Sequence, residues 1–167
     1  MKKRIIFALF LLLPGLIVLG KSIQQKLDKA AFYAVMDRGN LDEVSKEIDV
    51  VEASSSPEKE GFSGALLMRK AGLVKLPAQK LKLFKTGRIK FDTAIAADKD
   101  NVEYHFLRFA IQEHAPKIVK YRTDIETDKQ AIIKAYKNLS PVVQHAIMDY
   151  TKNSKLLQAS DLTDPKE

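Results

Sequence analysis

Apolar residues recur three and four positions apart along almost the whole chain after residue 20, and this spacing constrains the fold more than any other feature. Such a period places them on one face of an α-helix, whereas a half-buried strand would alternate apolar and polar residues. The sequence contains no alternating stretch bounded by hairpin turns. We therefore predict an all-α fold, built as an irregular stack of antiparallel helical hairpins.

Proline, glycine, asparagine and aspartate mark the expected helix boundaries. Gly39 and Asn40 separate the first two helices, and Glu43 completes a capping-box pattern with Asn40. A loop is predicted at residues 52–59, and the later helices are predicted at 61–74, from Pro77 to about Ala97, from Asn101 to before Pro116, from Asp124 to about Leu139, and from Ser140 to about Tyr150.

The first twenty residues predict export. Lys2, Lys3 and Arg4 precede an apolar run at residues 5–19, and Gly20 supplies a small residue at the expected cleavage site. The run is shorter than the ~20 residues that a spanning helix needs, so we predict a cleaved signal peptide and a periplasmic or secreted protein. An uncleaved inner-membrane anchor is the alternative. Cleavage would lower the net charge from +7 to +4, because it removes three basic residues.

The remainder of the chain is predicted to be one helical domain at residues 21–158, followed by a loose polar tail at residues 159–167. The chain contains no cysteine. An exported domain without disulfides is held together by its core, and chemistry that needs a thiolate is excluded.

One part of the sequence, at about residues 84–104, resembles a tetratricopeptide repeat. The matching residues are Gly87, Phe91, Ala94, Ile95, Asp98 and Asn101. They correspond to the second helix of a repeat and its exit turn, although the usual proline of that turn is Lys99 here. No clean second copy follows at a 34-residue period. The resemblance implies helical hairpins that nest through a small residue and an aromatic ring.

A second resemblance covers residues 101–117, NVEYHFLRFAIQEHAPK. This segment is similar to a core found in exported bacterial proteins that have no assigned activity. It therefore implies a location and a helical fold, and it carries no catalytic role to this chain.

Polar side chains are set among the apolar residues of that same helix. His105, Arg108 and Gln112 form a stripe between two apolar faces, and Glu103 lies on the other flank. These four residues are our candidates for binding a protein partner or a polar or anionic ligand. The alternative, which the sequence favours, is structural. In it, Arg108 and Glu113 pair with groups on adjacent helices, and the candidate partners are Asp92, Lys117 and Lys129.

No pattern of catalytic or metal-ligating residues stands out. His105 and His114 are nine positions apart, and the sequence lacks H-x3-H, H-E-x-x-H, G-x-S-x-G and glycine-rich phosphate-loop motifs. We therefore predict neither an enzyme nor a bound metal or cofactor. The competing class is an envelope glycan hydrolase that would use carboxylates such as Glu103 or Glu113.

Charge is unevenly distributed along the chain. No acidic residue occurs between Glu60 and Asp92, whereas residues 37–60 contain eight acidic and three basic residues. The candidate basic surface consists of Lys80, Lys82, Lys85 and Lys90. Such a segment is either an ordinary solvated face or a site for an anionic membrane or glycan surface. Export disfavours nucleic acid as the partner.

These features together predict an exported helical scaffold of the bacterial cell envelope that binds a protein or peptide partner. Helical-hairpin stacks offer extended surfaces for such partners. Binding to an anionic membrane or glycan surface through residues 69–90 is the first alternative, and glycan hydrolysis is the second.

Overall fold

A computed structural model describes residues 27–163, and all regular secondary structure in that range is helical, which confirms the all-α prediction. The eight α-helices found there are α1 Lys29–Arg38, α2 Leu41–Ala53, α3 Lys59–Leu73, α4 Pro77–Ala97, α5 Val102–His114, α6 Ile125–Ala135, α7 Pro141–Thr151 and α8 Ala159–Thr163. Two short 3-10 helices span Lys117–Val119 and Tyr136–Asn138. The predicted signal peptide and the last four residues lie outside the described range.

Local capping explains why several helices begin where the sequence predicts. The Asn40 side chain accepts hydrogen bonds from the backbone N–H groups of Asp42 and Glu43, and the Glu43 carboxylate accepts from the backbone N–H of Asn40. This capping box satisfies donors that the first helical turn leaves free. The Asn101 side chain caps α5 by accepting a hydrogen bond from the backbone N–H of Tyr104, and Pro77 is the first residue of α4.

Two predictions about local secondary structure differ from the structure. Asp124 precedes α6 as expected, but its side chain does not cap that helix, because the carboxylate accepts hydrogen bonds from Gln112 and Thr123 instead. The segment predicted to be a loose tail begins with the short helix α8. Leu162 of α8 is buried, so this apolar side chain holds residues 159–163 against the core.

Aromatic rings join α1, α3, α4 and α5 in the core. Phe32 and Phe62 meet edge to face with their ring centroids 4.5 Å apart. Tyr104 contacts Phe62 and Phe91 in the same manner, at 6.2 Å and 5.9 Å. Edge-to-face pairs of this kind add to the stabilisation that comes from burying apolar area.

The helices α3 and α4 pack as an antiparallel hairpin whose backbones approach closely at two glycines. A Cβ atom added to Gly87 would lie 2.6 Å from the backbone oxygen of Gly64, and one added to Gly64 would lie 2.7 Å from the backbone nitrogen of Phe91. Two glycines therefore permit the close approach that the sequence predicted at Gly87. The next pair, α5 and α6, is also antiparallel, because residues 105 and 108 contact residue 128 while residue 112 contacts residue 124.

Candidate functional site

Asp128 of α6 joins two of the predicted binding residues. Its side chain is fully buried. Arg108 donates from Nε to Oδ2 at 2.7 Å and from Nη2 to Oδ1 at 2.6 Å, and His105 Nδ1 lies 2.7 Å from Oδ1. The other ring nitrogen of His105 lies 2.8 Å from the backbone oxygen of Lys99, so both ring nitrogens face acceptors. The site thus ties α5 to α6.

The guanidinium of Arg108 is used mainly inside the fold. Its hydrogen bonds to Asp128 raise the pKa of Arg108 above its ordinary value, and burial only partly opposes this effect. Two parallel bonds of this kind are the strong and directional form of an arginine–carboxylate pair. Pairing with an adjacent helix is the structural alternative that the sequence favoured for Arg108. The partner, however, is Asp128 and not Asp92.

Gln112 is more deeply buried than its position in the polar stripe of α5 predicts. It is fully buried, and both ends of its amide bond to Asp124: Nε2 donates to Oδ2 at 3.0 Å, and Oε1 accepts from the backbone N–H at 3.1 Å. Both the nitrogen and the oxygen of the amide are therefore paired with the residue that precedes α6. It holds the α5–α6 connection in place and is turned away from solvent.

Glu103 does not share a site with Arg108. Its carboxylate accepts hydrogen bonds from Lys29 Nζ and, at 2.7 Å, from the Tyr33 hydroxyl, and both of these residues are on α1. Burial, followed by the charge of Glu103, holds the pKa of Tyr33 well above its ordinary value. The phenol therefore remains a donor to Glu103. Lys29 also contacts Glu58 at 3.3 Å.

Glu113 links α5 to the end of α7 and to the residues that follow it. Its carboxylate accepts hydrogen bonds from the Tyr150 hydroxyl at 2.5 Å, from Ser154 Oγ at 2.8 Å and from the backbone N–H of Lys155 at 2.7 Å. Burial opposes ionisation, but these three hydrogen bonds outweigh it and lower the pKa of Glu113 below its ordinary value. Glu113 therefore contacts the end of α7, and neither Lys117 nor Lys129 is its partner.

Replacing Glu113 with glutamine is expected to lower the free energy of unfolding by about 1–3 kcal/mol at pH 7, because an amide cannot accept all three hydrogen bonds. Since the folded-state pKa lies below 4.5, this contribution is complete above pH 4.5 and is lost as the pH falls through the lowered pKa. Urea denaturation at a series of pH values measures the difference. A loss that stays constant down to acid pH would contradict the assignment.

The pKa of Glu47 is shifted in the opposite direction to that of Glu113. This residue of α2 is nearly buried, and its Oε1 atom has no hydrogen-bond partner within residues 27–163. Burial, and after it the charge of Asp28, raises the pKa of Glu47 above 4.5. The neutral carboxyl group is tolerated in this buried position, and it predominates below pH 4.5. As the pH rises through the raised pKa, the group ionises and the folded state loses stability. Glu47→Gln is therefore expected to stabilise the protein at pH 7 and to lose that advantage in acid.

A shallow cavity of about 390 Å³ lies between α4, α5 and the chain at residues 121–124. Its charged lining residues are Arg88, Asp92, Lys99, Arg108 and Asp124. Arg88 donates to Asp92 at 3.2 Å, and Asp128 lies behind Arg108. The opposite charges compensate one another, so the cavity presents no strong excess of one sign to a ligand.

The predicted basic surface divides into two parts. Lys80, Lys82 and Lys85 are exposed on α4. Lys90 instead forms salt bridges with Glu52 at 2.7 Å and Glu60 at 3.0 Å. The acidic segment at residues 37–60 therefore neutralises Lys90. Lys80, Lys82 and Lys85 form no salt bridge with the part of the chain that the structure describes. Sequence position alone could not separate these cases, because the partners of Lys90 lie on other helices.

Large apolar side chains accompany the three exposed lysines, a feature that the sequence analysis missed. Ile89 is 69% exposed and Leu81 is 50% exposed. Lys82, Lys85 and Ile89 lie three and four positions apart, so they share the face of α4 opposite to the buried Gly87. We call Leu81, Lys82, Lys85 and Ile89 the α4 outer face.

The described part of the chain brings together no group of three histidine, aspartate or glutamate residues that could hold a metal ion. Within residues 27–163 no helix is long and apolar enough to cross a membrane. Comparison with known proteins gave no match to any protein-family model, curated protein or solved structure.

Proposed function

We propose that this chain is an exported, non-catalytic docking module of the bacterial cell envelope, which binds an anionic partner through α4. The observation that carries this proposal is the α4 outer face, where lysines stand beside water-exposed leucine and isoleucine. Exposed apolar side chains within a field of one charge are typical of interaction sites. A protein or peptide partner, a glycan and a membrane surface can all supply the anionic groups.

In this proposal, the described residues 27–163 form one domain of stacked hairpins similar to tetratricopeptide repeats. Two observations support it: the antiparallel pairs α3–α4 and α5–α6, and the short Asp98–Asn101 turn that joins them. A stack of hairpins presents long helix faces to solvent, and α4 is the longest helix of the described range. Residues 1–20 would direct export of this domain across the inner membrane, and their cleavage would then release it.

The arrangement of Glu103 and Glu113 supports a structural role in preference to glycan hydrolysis. Each carboxylate accepts hydrogen bonds from side chains of another helix, and Glu113 also accepts from a backbone N–H group. Carboxylates held in this way link elements of the fold. A loss of stability in the pH series on Glu113→Gln would support this structural role, whereas an unchanged stability would remove that support.

Envelope fractionation tests the proposed function. The protein, expressed in cells that export it, is expected to sediment with washed envelopes at low salt and to be released as salt rises, because the Debye length falls from about 10 Å at 0.1 M to about 3 Å at 1 M. The triple variant Lys80→Gln, Lys82→Gln, Lys85→Gln is expected to reduce envelope recovery several-fold.

A matched control separates the α4 lysines from net charge. Lys46, Lys134 and Lys137 are also exposed but lie on α2, α6 and the following 3-10 helix. Their triple replacement with glutamine changes the net charge equally, and it is expected to leave recovery almost unchanged. Equal losses in the two triple variants, or full recovery of the α4 variant, would overturn the role of α4.

A further inference from the structure

A short segment outside the predicted basic surface extends the α4 outer face. Lys117, Ile118, Lys120 and Arg122 are all exposed, and Ile118 is 88% exposed. Lys120 adopts a left-handed backbone conformation, with φ 47° and ψ 48°, and its N–H donates to the backbone oxygen of Lys117 at 3.1 Å. Non-glycine residues adopt this conformation infrequently. The turn therefore presents an isoleucine between two lysines.

Tyr121 holds this segment beside α4. Its ring meets Phe84 edge to face at 5.8 Å, and the Arg88 guanidinium lies 4.7 Å from its centroid. The Tyr121 hydroxyl donates to Asp92 Oδ1 at 2.8 Å. Tyr121 is buried, so these contacts with three positions of α4 fix the segment against the helix. Two stretches that are about thirty residues apart in sequence thus form one surface.

The combined surface is basic and carries protruding apolar side chains. We call it the composite face, and it consists of Lys82, Lys85, Ile89, Lys117, Ile118 and Lys120. The nearby acid Asp92 already bonds to Arg88 and Tyr121, which compensates its charge. Asp124, which lines the same cavity as Asp92, is likewise paired with Arg108 and Gln112. The charges of the composite face itself are those of its lysines.

We infer that the composite face docks onto an anionic lipid bilayer, with Ile118 and Ile89 entering the headgroup region and the lysines contacting lipid phosphates. The inference rests on the proposed function and names its partner. Charge complementarity supports it, since juxtamembrane lysines are attracted to anionic lipids within a Debye length. Shape supports it too, because the isoleucines stand on a helix surface and at a turn, whereas a bound peptide would need a groove.

A single tryptophan can report whether residue 118 enters lipid, because the chain contains no tryptophan. Tryptophan also favours the membrane interface, so Ile118→Trp should preserve binding. Its fluorescence is expected to shift to the blue with vesicles of mixed phosphatidylglycerol and phosphatidylcholine, and to stay unchanged with phosphatidylcholine alone. The shift should disappear at high salt. Val142→Trp is the matched control, because Val142 is an exposed β-branched residue of α7, outside the composite face.

Co-sedimentation with the same vesicles supplies a second measurement. Ile118→Ser is expected to weaken vesicle binding about tenfold, the effect of losing one buried aliphatic side chain. Because the side chain is exposed, the substitution should not change the unfolding midpoint. All variants share the N-terminal segment, so differences among them report on the composite face.

The outcomes separate this inference from the proposed function. If residue 118 shows no blue shift while envelope recovery still depends on the α4 lysines, the lipid inference is wrong and a protein or glycan partner is indicated. Equal fluorescence shifts for the tryptophans at positions 118 and 142 would also overturn it, because they would indicate nonspecific adsorption to the vesicles. If the α4 lysines have no effect on recovery, the proposed function itself fails.

Discussion

Gly87→Ala is expected to lower the free energy of unfolding by about 3 kcal/mol, one of the two largest effects that we predict for a single substitution. The added Cβ would lie 2.6 Å from the backbone oxygen of Gly64 and 2.8 Å from Met68 Cγ. Met68 can move, but the backbone of α3 cannot yield without separating the hairpin. Overpacking that shifts backbone in a tight core costs on this scale. Urea denaturation followed by circular dichroism measures the loss.

Gly72→Ala is the matched control. Gly72 is also in α3, but a Cβ atom there would meet nothing within 4 Å. Alanine favours the helix over glycine by roughly 0.5–1 kcal/mol, so this variant should be slightly more stable than the wild type. If the two alanine variants behaved alike, the close contact between α3 and α4 would be wrong.

Much of the helical pattern was predictable because helix boundaries depend on neighbouring residues. Asn40 and Glu43 satisfy each other's backbone N–H groups within one turn, so four residues of sequence contain the whole signal. The same holds for Pro77 at the start of α4. Gly87 was recognisable as a contact point, but its partner was not, because Gly64 belongs to a different helix.

The polar network was harder to predict because its pairs depend on how helices are oriented. No motif in the sequence singles out Asp128, yet it is the buried residue that contacts Arg108 and His105. One signal was present: Asp124 and Asp128 are four residues apart and therefore share a face. Which helix that face contacts follows only from the packing of α6 on α5.

Only part of the composite face could be predicted from the sequence. An acid-free run that contains Lys82 and Lys85 is apparent without a structure. The contribution of Lys117 and Ile118 is not, because it depends on Tyr121 packing against α4. The sequence also predicts that Lys90 belongs to this surface, and this prediction is wrong. Lys90 is paired with residues of α2 and α3, and those salt bridges form only when the chain folds.

Asp128→Asn is expected to lower the free energy of unfolding by about 3–5 kcal/mol. Asp128 is fully buried and receives two hydrogen bonds from Arg108, which is itself largely buried. The asparagine amide would place an NH₂ group where one of those donors points, and the arginine charge would lose its compensation. Removing one partner of a buried ion pair has effects of this size. The measurement is the change in the urea midpoint at pH 7.

Asp149→Asn is the matched control, because Asp149 also contacts a histidine and a basic residue. His145 Nε2 lies 3.1 Å away and Lys152 Nζ lies 2.6 Å away, but this cluster is on the surface of α7. Water and salt screen exposed pairs, so the urea midpoint should hardly change. Comparable losses in the two variants would mean that the stabilisation comes from charge alone. A large loss confined to Asp128 would instead assign it to burial, and would identify the Arg108–Asp128 pair as the link that holds α6 against α5.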